Sequence, residues 1–362
     1  MVILHVAGLN GNKSAGPTTT VPKNVEYGSK YEKVALYNLS DNKLEGIIEQ
    51  DKIYLMKDYP NIASLPVPFN NPDIVIFQSM YIKGFIKVYK EIKRRNIPYI
   101  IVPRGSLTKS AQNKKRKKKI IGNLLFFNKF VKNASSINFL TENEYLESKC
   151  FKFNNYYING NGIDSKIKFK DYTKKNNTFI VNYIGRIEMY HKGLDYLIEA
   201  INLGKKEFRK KKFLFNLYGP DRMNSLKRLN NMINEYKIND LINIYGPVFD
   251  TDKEKVLLES DLFIHTSRLE GQPMAVVEAI AYGIPAFVTP GTNIDNVVKN
   301  NDLGFTSTFD INDIKDTLLL AYKEKNRYNE ISKRCIKYAK ENFNWDIIVK
   351  KNIDEYKKII KR

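Results

Sequence analysis

A chain of 362 residues is too long for one ordinary hydrophobic core and suits two domains. Its 43% hydrophobic content excludes disorder as the default, and 60 basic against 39 acidic residues leave a net charge of +21. Such an excess calls for a polyanionic neighbour, whether nucleic acid, a membrane surface or phosphorylated ligands, although the abundance of Asn, Lys and Ile also fits an AT-rich coding sequence.

Only Cys150 and Cys335 are present, which gives no disulfide framework and fits a reducing cytosol. The histidines His5, His191 and His265 lack zinc-ligand spacing. No apolar run reaches the roughly 20 residues that span a bilayer, and VILHVA at the start is too short for a signal-peptide core. It reads as a first buried strand.

Further strands are expected at 33–38, 73–77, 98–102 and 136–140, then at 179–184, 213–218, 242–245, 261–265 and 285–288. Several are near-continuous apolar runs, as strands covered on both faces should be. Polar helical stretches alternate with them, so parallel βαβ units in two doubly wound sheets are expected. The polar segment KFKDYTKKNN, 168–177, divides the chain nearly in half. Ligands of such sheets bind beyond the carboxyl ends of the strands.

After the first strand comes GLNGNKSAGPTTT, residues 8–20. Gly8 and Gly11 read as turn glycines; Gly16 is the candidate for a close approach of backbone to a bound ligand. Further on, NKKRKKKIIGNLLFFNKFV, 113–131, opens with Lys114, Lys115, Arg116, Lys117, Lys118 and Lys119. Six adjacent like charges repel unless a counter-surface exists. Near an anionic bilayer each contributes about 1 kcal/mol. Nucleic acid would leave the same signature, but no nucleic-acid module or interleaved aromatic pattern accompanies the run, so an anionic membrane surface is the expected partner and nucleic acid is not. Ile120, Ile121, Leu124, Leu125 and Phe127 follow at near-helical spacing and read as a core-facing stripe.

In the second half, IVNYIGRIEMYHKGLDYLIEA, 180–200, ends a strand at Gly185 and places Arg186 and Lys192 in the loop before a helix starting near Leu194. Two cations beside helix N–H groups suit a diphosphate, whereas surface cations are the bland alternative. Seven residues separate Glu270 from Glu278 in HTSRLEGQPMAVVEAIAYGIP, 265–285. Pro273 suits the first turn of a helix over 274–282, stopped by Gly283 and Pro285. Glu270 then lies in the entering loop and Glu278 one and a half turns inside. Such carboxylates meet only across something bound at the helix N-terminus. The triplet Asp250-Thr251-Asp252 imitates a metal-binding motif, but Thr251 and Glu254 read as a capping box.

Taken in order, Gly185-Arg186, then Lys192-Gly193-Leu194-Asp195, then Ser267-Arg268-Leu269-Glu270-Gly271-Gln272-Pro273 and Glu278-Ala279 resemble glycosyltransferase family 4. The glutamates match its E-x7-E motif. NGID at 161–164, GPV at 246–248 and the tail NFNWDIIVKKNIDEYKKI, 342–359, agree with it. The resemblance is strong from about 157 to 360 and looser before. It implies a GT-B α/β fold: two Rossmann-like doubly wound domains facing a cleft, 1–165 on the acceptor side and 166–342 binding nucleotide sugar, with 343–362 a helix returning to the first domain.

It further implies a retaining hexosyltransferase that moves a hexose or N-acetylhexosamine from a nucleotide-diphosphate sugar, with UDP the expected nucleotide, to a saccharide hydroxyl. A lipid-linked saccharide acceptor, as in bacterial surface-polysaccharide assembly, would place the enzyme in the cytoplasm, peripheral on the inner face of the plasma membrane. Glu278 would accept hydrogen bonds from ribose hydroxyls, and Glu270 would contact the donor sugar. Gly185, Gly16 and the backbone of Gly271, Gln272, Pro273, Met274 and Ala275 would line the donor. Arg186 and Lys192, expected in an open cleft, would balance the leaving diphosphate, so no metal or other cofactor is required. Family members often carry His or Arg-Gly at PRGSL, 103–107. Arg104 is thus a candidate for acceptor or phosphate contact, though it cannot act as a base. A glycosidase pair would leave Arg186 and Lys192 without a purpose. A nucleotide-sugar epimerase or hydrolase of the same fold and a basic nucleic-acid-binding protein are the alternatives.

Overall fold

The computed structural model describes residues 1–12, 16–42, 44, 48–166, 168–173 and 177–361. Ala15 and residues 174–176 of the polar segment lie outside them. The chain divides into two compact units: Met1–Gly162 with Trp345–Arg362, and Ile163–Asn344.

In the first unit the strands are β1 (Val2–Ala7), β2 (Lys33–Asn38), β3 (Ile53–Leu55), β4 (Ile74–Gln78), β5 (Tyr99–Val102), β6 (Ser136–Phe139) and β7 (Tyr156–Ile158). They form one parallel sheet in the order β3-β2-β1-β4-β5-β6-β7. The second unit has β8 (Phe179–Ile184), β9 (Phe213–Tyr218), β10 (Ile242–Tyr245), β11 (Leu262–His265), β12 (Ala286–Val288) and β13 (Gly304–Thr306). Their order is β10-β9-β8-β11-β12-β13, again parallel throughout. In each sheet the order reverses between two central neighbours, β1 and β4 or β8 and β11. Those are the points where a crevice opens at the carboxyl ends.

Burial explains why the central strands were readable. All five residues of Ile74–Gln78 and all four of Leu262–His265 are buried, the pattern of strands covered by helices on both faces. The strands without a sequence signal, β3, β7 and β13, are edge strands of three residues each, and β7 and β13 have no buried position. A buried ladder pins the register of the second sheet: Asn243 donates to Asn216 (3.0 Å), Asn216 to Asn182 (2.9 Å), and Asn182 to Ser260 (2.8 Å).

The C-terminal helix Trp345–Ile360 belongs to the first unit. Trp345 stacks on Tyr27 with ring centroids 6.1 Å apart, and Asn352 accepts from Asn159 at 2.7 Å. Gly162 is needed there, because a Cβ would lie 2.7 Å from the Trp345 Cα. Trp345, Ile348, Val349, Ile353 and Tyr356 are buried on this helix; each such side chain contributes about 1.5–3 kcal/mol relative to exposure.

Two local expectations fail. Thr251 is not a cap, because the helix Asp250–Glu259 starts two residues earlier than such a cap would allow, with Phe249 at the N-cap and no side-chain bond there. Asp250 and Asp252 instead supply negative charge to the first turn, and Glu254 pairs with Lys168 at 2.8 Å. The apolar stripe after the cationic run is not core either. Helical Arg116–Gly122, a π-turn over Asn123–Phe127 and helical Asn128–Lys132 follow one another directly. Phe127 packs inward against Tyr81 and Phe130, and Asn123 bonds Tyr81 and Gln112. That fixes the inward face, and Ile120, Ile121, Leu124 and Leu125 are left outside, with Leu125 81% exposed.

Candidate active site at a sheet switch point

The residues singled out in the second half converge on the carboxyl ends of β8 and β11. Gly185 follows β8 and donates from its N–H to Tyr218 O (2.9 Å). Arg186 follows, with 39% of its side chain exposed and its Nη2 3.7 Å from Glu188 Oε2. Lys192 ends the short helix Met189–Lys192. Gly193 takes φ +63° beside it, so close to Thr266 that a Cβ would lie 1.9 Å from the Thr266 carbonyl oxygen. Only glycine permits that approach. Thr266 Oγ1 donates to the carbonyls of Lys192 and Gly193 at 3.1 Å each, so the loops after β8 and β11 are fastened together.

Glu270 stands at the centre of this junction. Its Oε1 accepts from Lys192 Nζ, from Ser267 Oγ at 2.8 Å and from His265 Nε2 at 3.0 Å. Burial pushes this carboxyl up, but the Lys192 ammonium and the His265 bond outweigh it and hold it well below the usual carboxylate range. Burial lowers His265 and so favours its neutral form, and Nε2 carries the proton that is directed at the carboxylate. Glu270 is thus a fixed acceptor whose charged form its neighbours favour. Lys192, expected in an open cleft, is buried at 8% exposure because Glu270 draws its ammonium inward.

The strand end β11 leads through this loop into the helix Met274–Ala281. Pro273 occupies its N-cap with φ −80° and ψ 89°, one position before the expected first turn. Pro273 O takes the N–H groups of Val276 (2.9 Å) and Val277 (3.1 Å). The N–H groups of Met274 and Ala275 precede the first intrahelical bond, where a helix offers positive potential. Asn293 Nδ2 donates to the carbonyls of Glu270 and Gly271, and Thr289 Oγ1 to that of Ser267 (3.0 Å). Together they hold the loop that presents Gly271 and Gln272. Glu278, inside the helix, is ion-paired with Lys253 of the helix Asp250–Glu259. Arg268 chelates Asp195 at 2.8 and 2.9 Å and stacks 4.3 Å over the Tyr196 ring.

Sequence reasoning missed His265, Ser267, Asn293 and Lys253. The first two lie within five residues of Glu270 and could have been weighed as its donors. Asn293 and Lys253 carry no local signal.

The candidates from the first half of the sequence belong to the first unit. Gly16 begins the helix Gly16–Gly28, and a Cβ on it meets nothing within 4 Å. Arg104, at φ +53°, donates to Gln78 Oε1 (2.8 and 3.1 Å), Thr20 Oγ1 (3.0 Å) and Asn161 Oδ1 (3.2 Å), and burial lowers its pKa to about 10. It joins the ends of β4, the first helix and the NGID turn. Of the cationic run, Lys114 to Lys118 are exposed, while Lys119 folds back to donate to Ala111 O at 2.6 Å and lies 4.9 Å over the Tyr81 ring.

The fold is that of GT-B glycosyltransferases. One solved structure, Anabaena Alr3699/HepE in complex with UDP and glucose, is similar over 99% of this chain and 100% of that one, with TM-score 0.77 and 14% identity. Sucrose-phosphate synthase from Thermosynechococcus elongatus covers 99% of both chains, with TM-score 0.76 and 15% identity. In sequence, residues 164–342 match the family of glycosyl transferases group 1. Mannosylfructose-phosphate synthase of Agrobacterium fabrum is 26% identical over 173 residues, 46% of this chain and 37% of that protein. One component of the human phosphatidylinositol N-acetylglucosaminyltransferase is 25% identical over 141 residues, 39% of this chain and 28% of that protein. The matched stretch thus spans about a third of the curated relatives' length. Among the described residues no helix is long and apolar enough to cross a membrane.

Proposed function

We propose that the protein is a glycosyltransferase that moves a hexose or N-acetylhexosamine from a UDP-sugar to a saccharide hydroxyl, with retention at the anomeric carbon. The observation that carries the reading is the Glu270 carboxylate, fixed by Lys192, His265 and Ser267 one loop before the N–H groups of Met274 and Ala275 that precede the first intrahelical bond. A carboxylate that stays charged accepts hydrogen bonds from sugar hydroxyls and cannot protonate a leaving group. Departure must therefore be helped by fixed positive charge. Arg186, Lys192 and the N-terminus of the helix Met274–Ala281 supply it, with no metal in the scheme. Neighbouring structures with bound UDP and UDP-glucose support the choice of nucleotide.

In this scheme the bond from the anomeric carbon to the diphosphate oxygen breaks as the acceptor oxygen bonds on the same face. The acceptor proton passes to the departing phosphate oxygen, so no histidine base is needed. Glu278 exchanges Lys253 for ribose hydroxyls when the donor binds. A lipid-linked glycan is the acceptor class we favour, because the cationic run Lys114–Lys118 would hold the enzyme at an anionic surface.

A thermal-shift panel of UDP-, GDP- and ADP-sugars tests the reading. A donor at 100 times its Kd stabilises by about 2.7 kcal/mol, so a UDP-sugar should raise the melting temperature while the others do so less. If no nucleotide sugar shifts it, and the protein binds random duplex in a salt-dependent way, a nucleic-acid-binding protein replaces the proposal.

A further inference from the structure

Between Ile92 and Thr141 the chain has thirteen Lys and Arg residues and no Asp or Glu. Within that stretch, Ile120, Ile121, Leu124 and Leu125 are exposed by 48%, 59%, 75% and 81%. Among the described residues no other six-residue window exposes four large apolar side chains. Exposed aliphatics are ordinary when scattered; clustered ones mark an interaction site.

The geometry shows how charge and oil share one surface. Lys117, Ile121, Leu124 and Leu125 follow at i, i+4, i+7 and i+8, the spacing of a single helix face. Opposite them, Asn123 and Phe127 are held by Tyr81, Gln112 and Phe130. That anchoring prevents the helix from rolling its aliphatic face into the core. Lys117 and Lys118, both exposed, flank the aliphatic tips.

We propose that residues 116–125 form a membrane-docking wedge, in which Leu124 and Leu125, with Ile120 and Ile121, enter the acyl boundary of an anionic bilayer while the lysines bind its headgroups. Long lysine stems lie along apolar groups and keep the ammonium in the headgroup layer, so the two chemistries cooperate only at a lipid–water boundary. Nucleic acid would satisfy the cations but leave four aliphatic tips in water, since bases stack on aromatic rings. A second copy of this face would bring like charges together. A protein partner would favour aromatic and arginine anchors over aliphatics ringed by lysine. The proposal stands on this surface alone and does not rest on the assignment of the donor site.

The full chain is co-sedimented with phosphatidylcholine vesicles, with and without phosphatidylglycerol, at low and high salt. Wild type should bind only the anionic vesicles. Leu124→Gln with Leu125→Gln retains every charge and should bind them about tenfold or more weakly, with an unchanged melting temperature because both positions are exposed. Since the native tryptophan is the buried Trp345, Leu125→Trp provides a separate reporter, expected to blue-shift on anionic vesicles and to be quenched by brominated acyl chains. Equal binding of wild type and the double variant overturns the wedge, as does a Leu125→Trp signal untouched by brominated lipid. Failure of wild type to bind vesicles, with duplex binding or self-association in its place, overturns it in favour of that partner.

Discussion

Lys192→Ala separates an ion pair that organises the site from a cation that merely lines it. The Lys192 and Glu270 side chains are 10% and 14% exposed, and the ammonium contacts the carboxylate directly. Removing one member of a buried pair costs about 3–5 kcal/mol, because the other charge stays buried without its partner. Ser267 and His265 still donate to Glu270, so the low end, about 3 kcal/mol, is expected. For a unit the size of Ile163–Asn344, each kcal/mol shifts the melting temperature by about 2–4 °C, which gives a fall of roughly 6–12 °C. Scanning calorimetry reads it directly. Glu270→Gln added to Lys192→Ala should restore part of the loss, since no orphaned charge remains. Arg186→Ala is the control: its guanidinium is 39% exposed, and a surface change of this kind stays within about 0.5 kcal/mol. Under the proposed mechanism both single variants lose about tenfold or more in turnover, yet only Lys192→Ala melts early. A Lys192→Ala melting temperature equal to that of Arg186→Ala would refute the reasoning.

The two glutamates should separate kinetically: Glu278→Gln mainly raises the donor KM, and Glu270→Gln mainly lowers kcat, because only the latter is assigned to the reacting sugar; equal KM effects with unchanged kcat would misplace Glu270. A further prediction concerns pH. Burial, aided by the Arg104 charge, lowers His5 from 6.5 to about 3, while Gln78 Nε2 donates to its Nδ1 at 2.8 Å. The unfolded chain therefore takes up this proton first, so the stability is complete above about pH 6.5 and is lost as pH falls toward 3, by about 2 kcal/mol at pH 5. Urea unfolding should show His5→Gln losing less stability between pH 7 and 5 than wild type, and parallel losses would mean that His5 is not the group responsible.

How much of this was legible in the sequence depends on whether a residue's neighbours are local. The central strands were readable because burial on both faces forces a continuous apolar run, as in Ile74–Gln78. Edge strands such as β13 face no such demand, and β13 left no trace. Motif spacing indicated that Arg186, Lys192 and Glu270 follow strand ends, and parallel order then brings β8 and β11 together. It could not say that Lys192 is buried on Glu270, because the two are 78 positions apart and the pair depends on how two loops close. The same limit hid Lys253, which meets Glu278 from another helix. The stripe at 120–125 shows the converse. Periodicity correctly marked one apolar face, but a period carries no information about what lies opposite it. Tyr81, Gln112 and Phe130 decided that, by taking Asn123 and Phe127 for the inward side. An exposed apolar face beside cations with no carboxylate for 50 residues of sequence is what the proposed docking on an anionic bilayer accounts for.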